Sequence, residues 1–460
     1  MTFRSYSPYL ALPLCFVLGA CSADPPPVSP ANEAVAEPAA TKPDVPKVAA
    51  ARPAAQLLEP KRTFALVTGV LSWRDKNLAP FSAESRKDEQ VFEVLGELGV
   101  PRDQRRLLLD DEATQGGMMA TARALLERAE GGSTFLFYYA GHGIKTKNGK
   151  TYFACHDVRS SRPAKTGFSV EALGDLIIET FRGSRVVLLA DCCYSGALAQ
   201  LVDRLKAKGI EAVALTSAGA SNTSTGNWTY SMTLLACLRG DALCDADGDG
   251  TTTLDELASE VGGAMKHYEQ QRAGYEWTGL SPSLAVATVE EPAPLKADRR
   301  RVYVNIPKDD GWRPARLRSE DGAEATVRTL GYADHQDVKL ALAKTRPIQF
   351  KTFEPGAEIQ VYWGAKIYDA KVVRRDGDFH LITYPGWAPY WDEWLTSERI
   401  VGTDLANQVF AVGDAVSVQW RGTWYPASVL AQQGQRHHIH YQGYGRAWDE
   451  WVGPRRIRGR

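Results

Sequence analysis

Four short runs, TFALVTGV, STFLFYYA, RVVLLAD and EAVALTS, are apolar or β-branched at nearly every position instead of every second one, and RRLLL is a shorter fifth. A strand of that pattern needs burial on both faces, which a sheet obtains only when helices cover both of its sides. The intervening segments supply the helices. SAESRKDEQVFEVLGELG opens on Ser82 as an expected N-cap and sets Val91, Phe92, Leu95 and Leu98 on one face; GGMMATARALLERA and SVEALGDLIIETF repeat the 3.6-residue spacing. The alternation predicts the α/β class, a mostly parallel sheet with helices on both faces, over residues 62–290. In such sheets, sites form at the carboxyl ends of the strands, where two of these runs lead into AGHG and DCCYSG.

The flanks differ in kind. Residues 1–21 carry one early Arg, a short apolar stretch from Tyr9 to Gly19 and small residues before Cys21, the pattern of an export leader too short to span a bilayer as a mature helix. Leu18-Gly19-Ala20-Cys21 resembles the lipobox of bacterial lipoproteins. The resemblance implies acylation of Cys21 and, with Ser22 following it, a lipid anchor in the cell envelope at the outer membrane. Residues 22–61, rich in Pro and Ala and without apolar period, are expected to form a semi-extended tether. Export would place Cys155, Cys192, Cys193, Cys237 and Cys244 where disulfides are allowed. Cys237 and Cys244 either pair with each other or remain two buried thiols. The 54 basic and 55 acidic side chains nearly cancel, so no whole-chain field favours nucleic acid.

From about residue 297 the chain changes to short alternating strands rich in Trp, Tyr and Gly, and it repeats. Residues 356–400 align without a gap on 413–457, pairing Trp363 with Trp420, Tyr368 with Tyr425, Tyr384 with Tyr441, and WDEW with WDEW. A degenerate copy at GWRPARLRSEDGAEATVRTLGY lacks WDEW. Three tandem small β-barrels are expected, at 297–350, 354–402 and 411–458. GTWYPASVL, YQGYG and WDEWV resemble Tudor-knot and chromo-barrel modules, which implies a binding role, with clustered aromatics receiving a methylated or cationic side chain. Trp363, Trp391, Trp394, Trp420, Trp448 and Trp451 are each expected, taken singly, to fill a barrel core.

Chemistry concentrates in AGHG and DCCYSG. A cysteine nucleophile needs a base within reach and N–H donors for the attacked carbonyl oxygen. His142, between two glycines, and Cys193 would sit on different strands at one sheet edge. FYYAGHG followed by LLADCCYSG resembles the caspase and metacaspase superfamily of cysteine peptidases over about residues 62–289, with the histidine about 50 positions upstream of the cysteine. The resemblance implies a caspase-like fold, with Cys193 as nucleophile, His142 as base, Gly143 and Cys193 N–H groups as oxyanion donors, and Cys192 facing the other side of the strand. Asp191 does not activate the thiol, because a neighbouring anion raises a thiol pKa. In metacaspases the matching aspartate, with one matched here by Asp88, lines a pocket for Arg or Lys; Ala140 stands where some relatives carry a polar group. The short connection after Gly196 implies single-chain activity.

DADGDGTTTLDE, residues 245–256, fits an EF-hand Ca²⁺ loop: Asp245, Asp247, Asp249, the Thr251 carbonyl and Glu256 fall at ligand positions, with Gly250 at the turn. Together these features lead to the expectation of a lipid-anchored endopeptidase cleaving after Arg or Lys, with Ca²⁺ in support and a protein ligand on the barrels. The competing expectation is an idle catalytic fold acting as an adaptor through the barrels.

Overall fold

The computed structural model describes residues 56–84, 86–220, 227–291, 293–308, 311–329, 336–363, 366–401, 410–420, 423–433, 436–453 and 456–459. The export leader, Cys21 with its lipobox and the tether through Ala55 lie outside the described residues.

The central sheet contains β1 (Thr63–Gly69), β2 (Arg105–Leu109), β3 (Thr134–Ala140), β7 (Arg185–Asp191), β8 (Glu211–Thr216) and β10 (Gly274–Thr278). Their order is β10-β8-β7-β3-β1-β2, and only β10 runs antiparallel to its neighbour. The crossovers carry α1 (Lys87–Glu97), α2 (Gln115–Arg128), the short α3 (Pro163–Thr166), α4 (Val170–Thr180), α5 (Ala199–Lys206), α6 (Thr229–Leu238) and α7 (Leu254–Glu269). A small sheet of β4 (Gly143–Lys145), β5 (Thr151–Phe153) and β6 (Phe168–Ser169) follows β3, and β9 (Thr251–Thr253) pairs with β11 (Ala285–Thr288).

Burial explains this layering. Phe64 and Leu66 of β1, Phe135 and Phe137 of β3, and Val186 and Leu188 of β7 meet α2, α4 and α5 in one core. The alternate residues, Ala65 and Val67, Leu136 and Tyr138, Val187 and Leu189, meet α1, α6 and α7 in a second. Successive strand residues point to opposite faces, so two cores require a run apolar throughout. The same pleat puts Cys192 into the first core and turns Asp191 toward the second.

Two boundaries differ from expectation. Residues 56–61, expected in the tether, belong to the α/β fold: Leu57 and Leu58 are buried in the second core, and Leu57 N–H donates to Ala285 O at 2.7 Å. Ser82 does not cap α1, whose N-cap position is Arg86 without a side-chain cap bond. The carboxylate of Asp88 accepts from Glu89 N–H at 2.8 Å instead, an anion at the positive end of the helix.

The C-terminal part forms three curled, five-stranded antiparallel half-barrels, first strands Tyr303–Lys308, Glu358–Trp363 and Ala415–Trp420. Each first strand pairs with both the second and the last strand, which closes the curl. The long second strand is bulged at Leu317/Ser319, Val372/Arg374 and Val429/Ala431. These are equivalent positions, so the copy without WDEW has kept the whole fold. Gln56–Arg460 clusters as one unit, and the first half-barrel packs on α7 through buried Arg316, which bonds Glu260 at 3.0 Å and the Leu243 carbonyl at 3.2 Å. No helix among the described residues is long and apolar enough to cross a membrane.

Cys237, at the end of α6, and Cys244 form a disulfide across a separation of seven residues. Closing so short a loop is worth about 2.5 kcal/mol by chain entropy. A Cys237→Ala/Cys244→Ala double variant should lose stability on that order, read from the urea midpoint beside the oxidised parent.

Candidate active site

The carboxyl end of the sheet brings the two motifs together. β3 and β7 are adjacent and in register, with Ala140 opposite Asp191, and Gly141 N–H donates to Asp191 O at 3.3 Å. His142 and Cys193 each follow two residues beyond that pair. Their turns touch through backbone: a Cβ added to Gly143 would lie 1.8 Å from the Cys193 carbonyl oxygen. Any side chain at Gly143 would push the two turns apart.

His142 is held on several sides. Its ring packs at a tilt against Trp73 and Phe81, each at 4.5 Å between centroids, and its Nε2 lies 2.9 Å from the Ala79 carbonyl. A carbonyl only accepts, so Nε2 carries the proton and Nδ1 is left as the basic nitrogen. Burial lowers the His142 pKa and the bond to Ala79 opposes that shift, which keeps the imidazole neutral at pH 7. Tyr139 OH donates to the His142 carbonyl at 2.9 Å and fixes the turn from below.

Cys193 is half-buried, whereas Cys155 and Cys192 are buried. Burial pushes the Cys155 thiol up to about 12 and the Cys192 thiol well above its ordinary value, so both stay protonated and inert. Tyr194 follows with φ 57°, a left-handed conformation for a residue with a side chain. Such a backbone costs about 1–2 kcal/mol, and strain of this kind concentrates at functional turns. The turn is braced by buried Ser195, whose Oγ accepts Ala218 N–H at 3.2 Å.

The two aspartates differ. Asp191 is buried, and Ser231 Oγ donates to its Oδ2 at 2.6 Å; Tyr138 OH lies 2.6 Å from the same Ser231 Oγ. Burial raises the Asp191 carboxyl to about 7 despite the Ser231 and Ser217 bonds. Asp88 is fully buried against Gly69, the residue opposite Ala140 on β1, and its field and that of Asp191 both reach Tyr138. Asp88 is also engaged by the chain itself. Arg86 donates to it through Nη2 at 2.6 Å and Nε at 3.0 Å, reaches the Gly69 carbonyl at 3.0 Å, and pairs with Asp110. Burial opposes the charge on Arg86, but the two carboxylates outweigh it and raise its pKa. Sequence reasoning missed Arg86, Ser231 and Tyr138, which carry no motif and become visible only when the strands align.

In the acidic loop, carboxylate oxygens of Asp245, Asp247 and Asp249 lie within 4.8 Å of one another. Asp245 is buried and accepts N–H groups of Gly248, Asp249 and Gly250, which folds the loop around it. Gly248 and Gly250 adopt φ of 78° and 89°, as this winding requires. Glu256 does not join the three: it caps α7 through Thr253 and accepts Ala246 N–H at 2.7 Å. Thr251 opens β9, and β11 supplies the antiparallel partner strand.

The middle and last half-barrels each cluster five aromatics that run from the core, at Tyr384 and Tyr441, to the surface. In the middle one, Trp363, Tyr368, Tyr384, Trp387 and Trp391 form a cup with neighbouring centroids 5.2–6.3 Å apart. Trp420, Tyr425, Tyr441, Tyr444 and Trp448 form the same cup in the last. The expectation that the Trp residues fill the cores is corrected. Val361, Ala370, Ile382, Leu395 and Tyr384 fill the core, while the partly buried Trp363 and Trp391 pack against it and Trp448 is 52 % exposed. The Glu of WDEW explains the motif: Glu393 takes Tyr384 OH at 2.8 Å and pairs with Arg399 at 2.7 Å, and Glu450 holds Tyr441 and Arg456 alike.

Removing Arg86 would leave Asp88 buried without its counter-charge, a loss of about 3–5 kcal/mol, so Arg86→Gln should lower the urea midpoint sharply. For Asp191, whose folded pKa is raised from 3.8 to about 7, stability from the protonated form is full below 3.8 and lost as pH rises through 7. Asp191→Asn should therefore flatten the pH dependence of the urea midpoint across that window.

No curated protein sequence matches the chain. Among solved structures, that of Tbtudor is 22 % identical, covers 11 % of this chain and 97 % of its own, and has a TM-score of 0.11. A Geobacter sulfurreducens protein is 12 % identical over 50 % of this chain and 100 % of its own, with a TM-score of 0.35. The four MBT repeats of Drosophila melanogaster Sfmbt, in complex with a peptide bearing a methylated lysine, are 11 % identical over 34 % of this chain and 62 % of theirs, with a TM-score of 0.19. Residues 410–459 match the Tudor-knot family model, described as an RNA-binding-activity knot of a chromodomain, so the last half-barrel is a Tudor-knot-like module and the middle one repeats its strands, bulge and WDEW.

Proposed function

We propose that the chain is a cysteine endopeptidase of the caspase and metacaspase type, hydrolysing peptide bonds after Arg or Lys. The observation that carries this reading is the in-register pairing of β3 with β7, which sets the turn of a neutral, orientated His142 against that of Cys193. Cys193 Sγ attacks the scissile carbonyl carbon as its proton passes to His142 Nδ1. The oxyanion is held by the N–H groups of Gly143 and Cys193. Collapse breaks the C–N bond, and the leaving amine takes the proton from His142, leaving a thioester. Water then gives a proton to Nδ1 and attacks the thioester; collapse breaks the C–S bond, returns that proton to sulfur and releases the carboxylic acid, which loses its own proton to solvent.

Asp88 and Asp191 form the pocket for the basic side chain. A substrate guanidinium or ammonium competes with Arg86 for Asp88, and Asp191 adds its charge only above its pKa of about 7. Ca²⁺ fits the loop of Asp245, Asp247, Asp249 and the Thr251 carbonyl, with Glu256 joining if it turns from its capping role; its part is structural, tying the disulfide-bonded end of α6 to α7. Cys21 anchors the protein to the cell envelope, at the outer membrane, and the tether sets its reach.

The duplicated aromatic cup favours a second activity, binding of a cationic side chain of a protein ligand by ring faces. If the catalytic pair is idle, this binding is the function and the chain is an adaptor.

The test is hydrolysis of fluorogenic peptides ending in Arg, Lys or Asp, with and without Ca²⁺. Cys193→Ala and His142→Ala should abolish cleavage and Cys192→Ala should spare it. KM for arginyl peptides should fall as pH rises through about 7, and Asp191→Asn should remove that trend. Absence of cleavage by the unmutated chain, with binding of methyl-lysine peptide or RNA retained, selects the adaptor.

A further inference from the structure

We propose that the middle half-barrel is a working part of the active site, and that Arg272 is the positioning residue through which it acts; this rests on the peptidase reading above. The half-barrel meets the α/β domain on the last turn of α7 and the segment that follows it. Lys266 pairs with Asp378 and Arg272 with Asp376, the Arg272 guanidinium lies 4.4 Å from the Trp394 ring, and Gln271 forms an antiparallel backbone bridge with Leu395.

The same two residues face inward. Arg272 O accepts Gly219 N–H at 3.0 Å, and the Gln271 side-chain amide donates to Ser217 O. Residues 217–220 are the wall between the barrel and the chemistry. Ser217 N–H donates to Ala190 O at 2.9 Å and its hydroxyl bonds Asp191, while Ala218 holds Ser195 through both backbone groups. Gly196 lies so close that a Cβ there would stand 2.4 Å from Ala220 N. On the other flank, Lys145 donates to Ala220 O at 3.2 Å, lies over the Tyr194 ring and interacts with Asp392 of WDEW. The wall that borders Asp191 and the nucleophile turn is thus supported from the barrel at both ends.

An exposed ion pair alone would not fix such a wall. A planar guanidinium stacked on an indole and bonded to a carboxylate, beside a backbone bridge, does so with defined geometry. His142 and Cys193 each lie two residues beyond β3 and β7, whose pairing does not involve the barrel. Undocking should therefore act on substrate binding at the Asp191 side and leave the bond-breaking step largely intact. A ligand that displaces the half-barrel would regulate the peptidase by the same route.

The test uses the full chain with Arg272→Glu, Asp376→Arg, the charge-swapped double variant and Arg272→Lys. Each single reversal should raise KM for an arginyl peptide about tenfold with kcat within about twofold, and should speed hydrogen exchange at the Ser217 and Gly219 amides. The double variant should recover most of both effects, and Arg272→Lys, which keeps charge but not the planar stack, should fall between. Unchanged KM and exchange in both reversals overturns the proposal. An effect confined to the Arg272 variants also overturns it, since Asp376 lies on the barrel and cannot damage the wall directly. If the unmutated chain cleaves nothing, the peptidase reading fails, while exchange at Ser217 and Gly219 still decides whether the barrel holds the wall.

Discussion

Parallel pairing of β3 with β7 is the constraint on which the rest depends. Ala140 opposite Asp191 puts two turns side by side at the carboxyl edge, and a one-residue slip would move every side chain of one strand to the other core. Phe135 and Phe137 against Val186 and Leu188 on one face, and Leu136 and Tyr138 against Val187 and Leu189 on the other, hold that register by burial. Gly143 then lets the peptide of Cys193 approach within contact of its own backbone.

Charge buried at this edge is balanced locally. Asp88 is met by Arg86, and Asp110 shares that guanidinium while also accepting the N–H groups of Leu71 and Ser72. Asp191 accepts the hydroxyls of Ser231 and Ser217 and the backbone N–H of Ser231, and burial outweighs these bonds and raises it to about 7. Two carboxylates whose fields reach one tyrosine are thereby met differently, Asp88 by a guanidinium and Asp191 by serine groups.

The C-terminal repeats show how one sequence unit can be used in different ways. All three half-barrels share strand order and bulge. The first docks on α7 through Arg316, Tyr303 and His267. The middle one docks on Lys266, Gln271 and Arg272 and retains its aromatic cluster, and the last packs on it, with Gly453 against Tyr362 and Ile367. Degeneracy of the first copy follows from its position, since an outer face turned into an interface does not need a cup.

The sequence by itself determined the layered α/β class, the edge on which AGHG and DCCYSG would lie, the acidic loop and the register of the repeats. Each of these is written in local pattern: apolar runs without alternation, turn glycines, ligand spacing and gapless identity. Only the tertiary structure decided what partners the charged groups have. Nothing local marks Arg86 as the counter-ion of Asp88, Ser231 as the donor to Asp191, or Glu256 as a helix cap that also accepts backbone N–H groups of the acidic loop. The Trp residues lie against the cores instead of inside them because which side chains close a small curled sheet is a property of the closed fold, not of any residue in it. The Ser82 expectation failed for the same reason: a competing anion, Asp88, reached the helix end once Arg86 and Gly69 fixed it there.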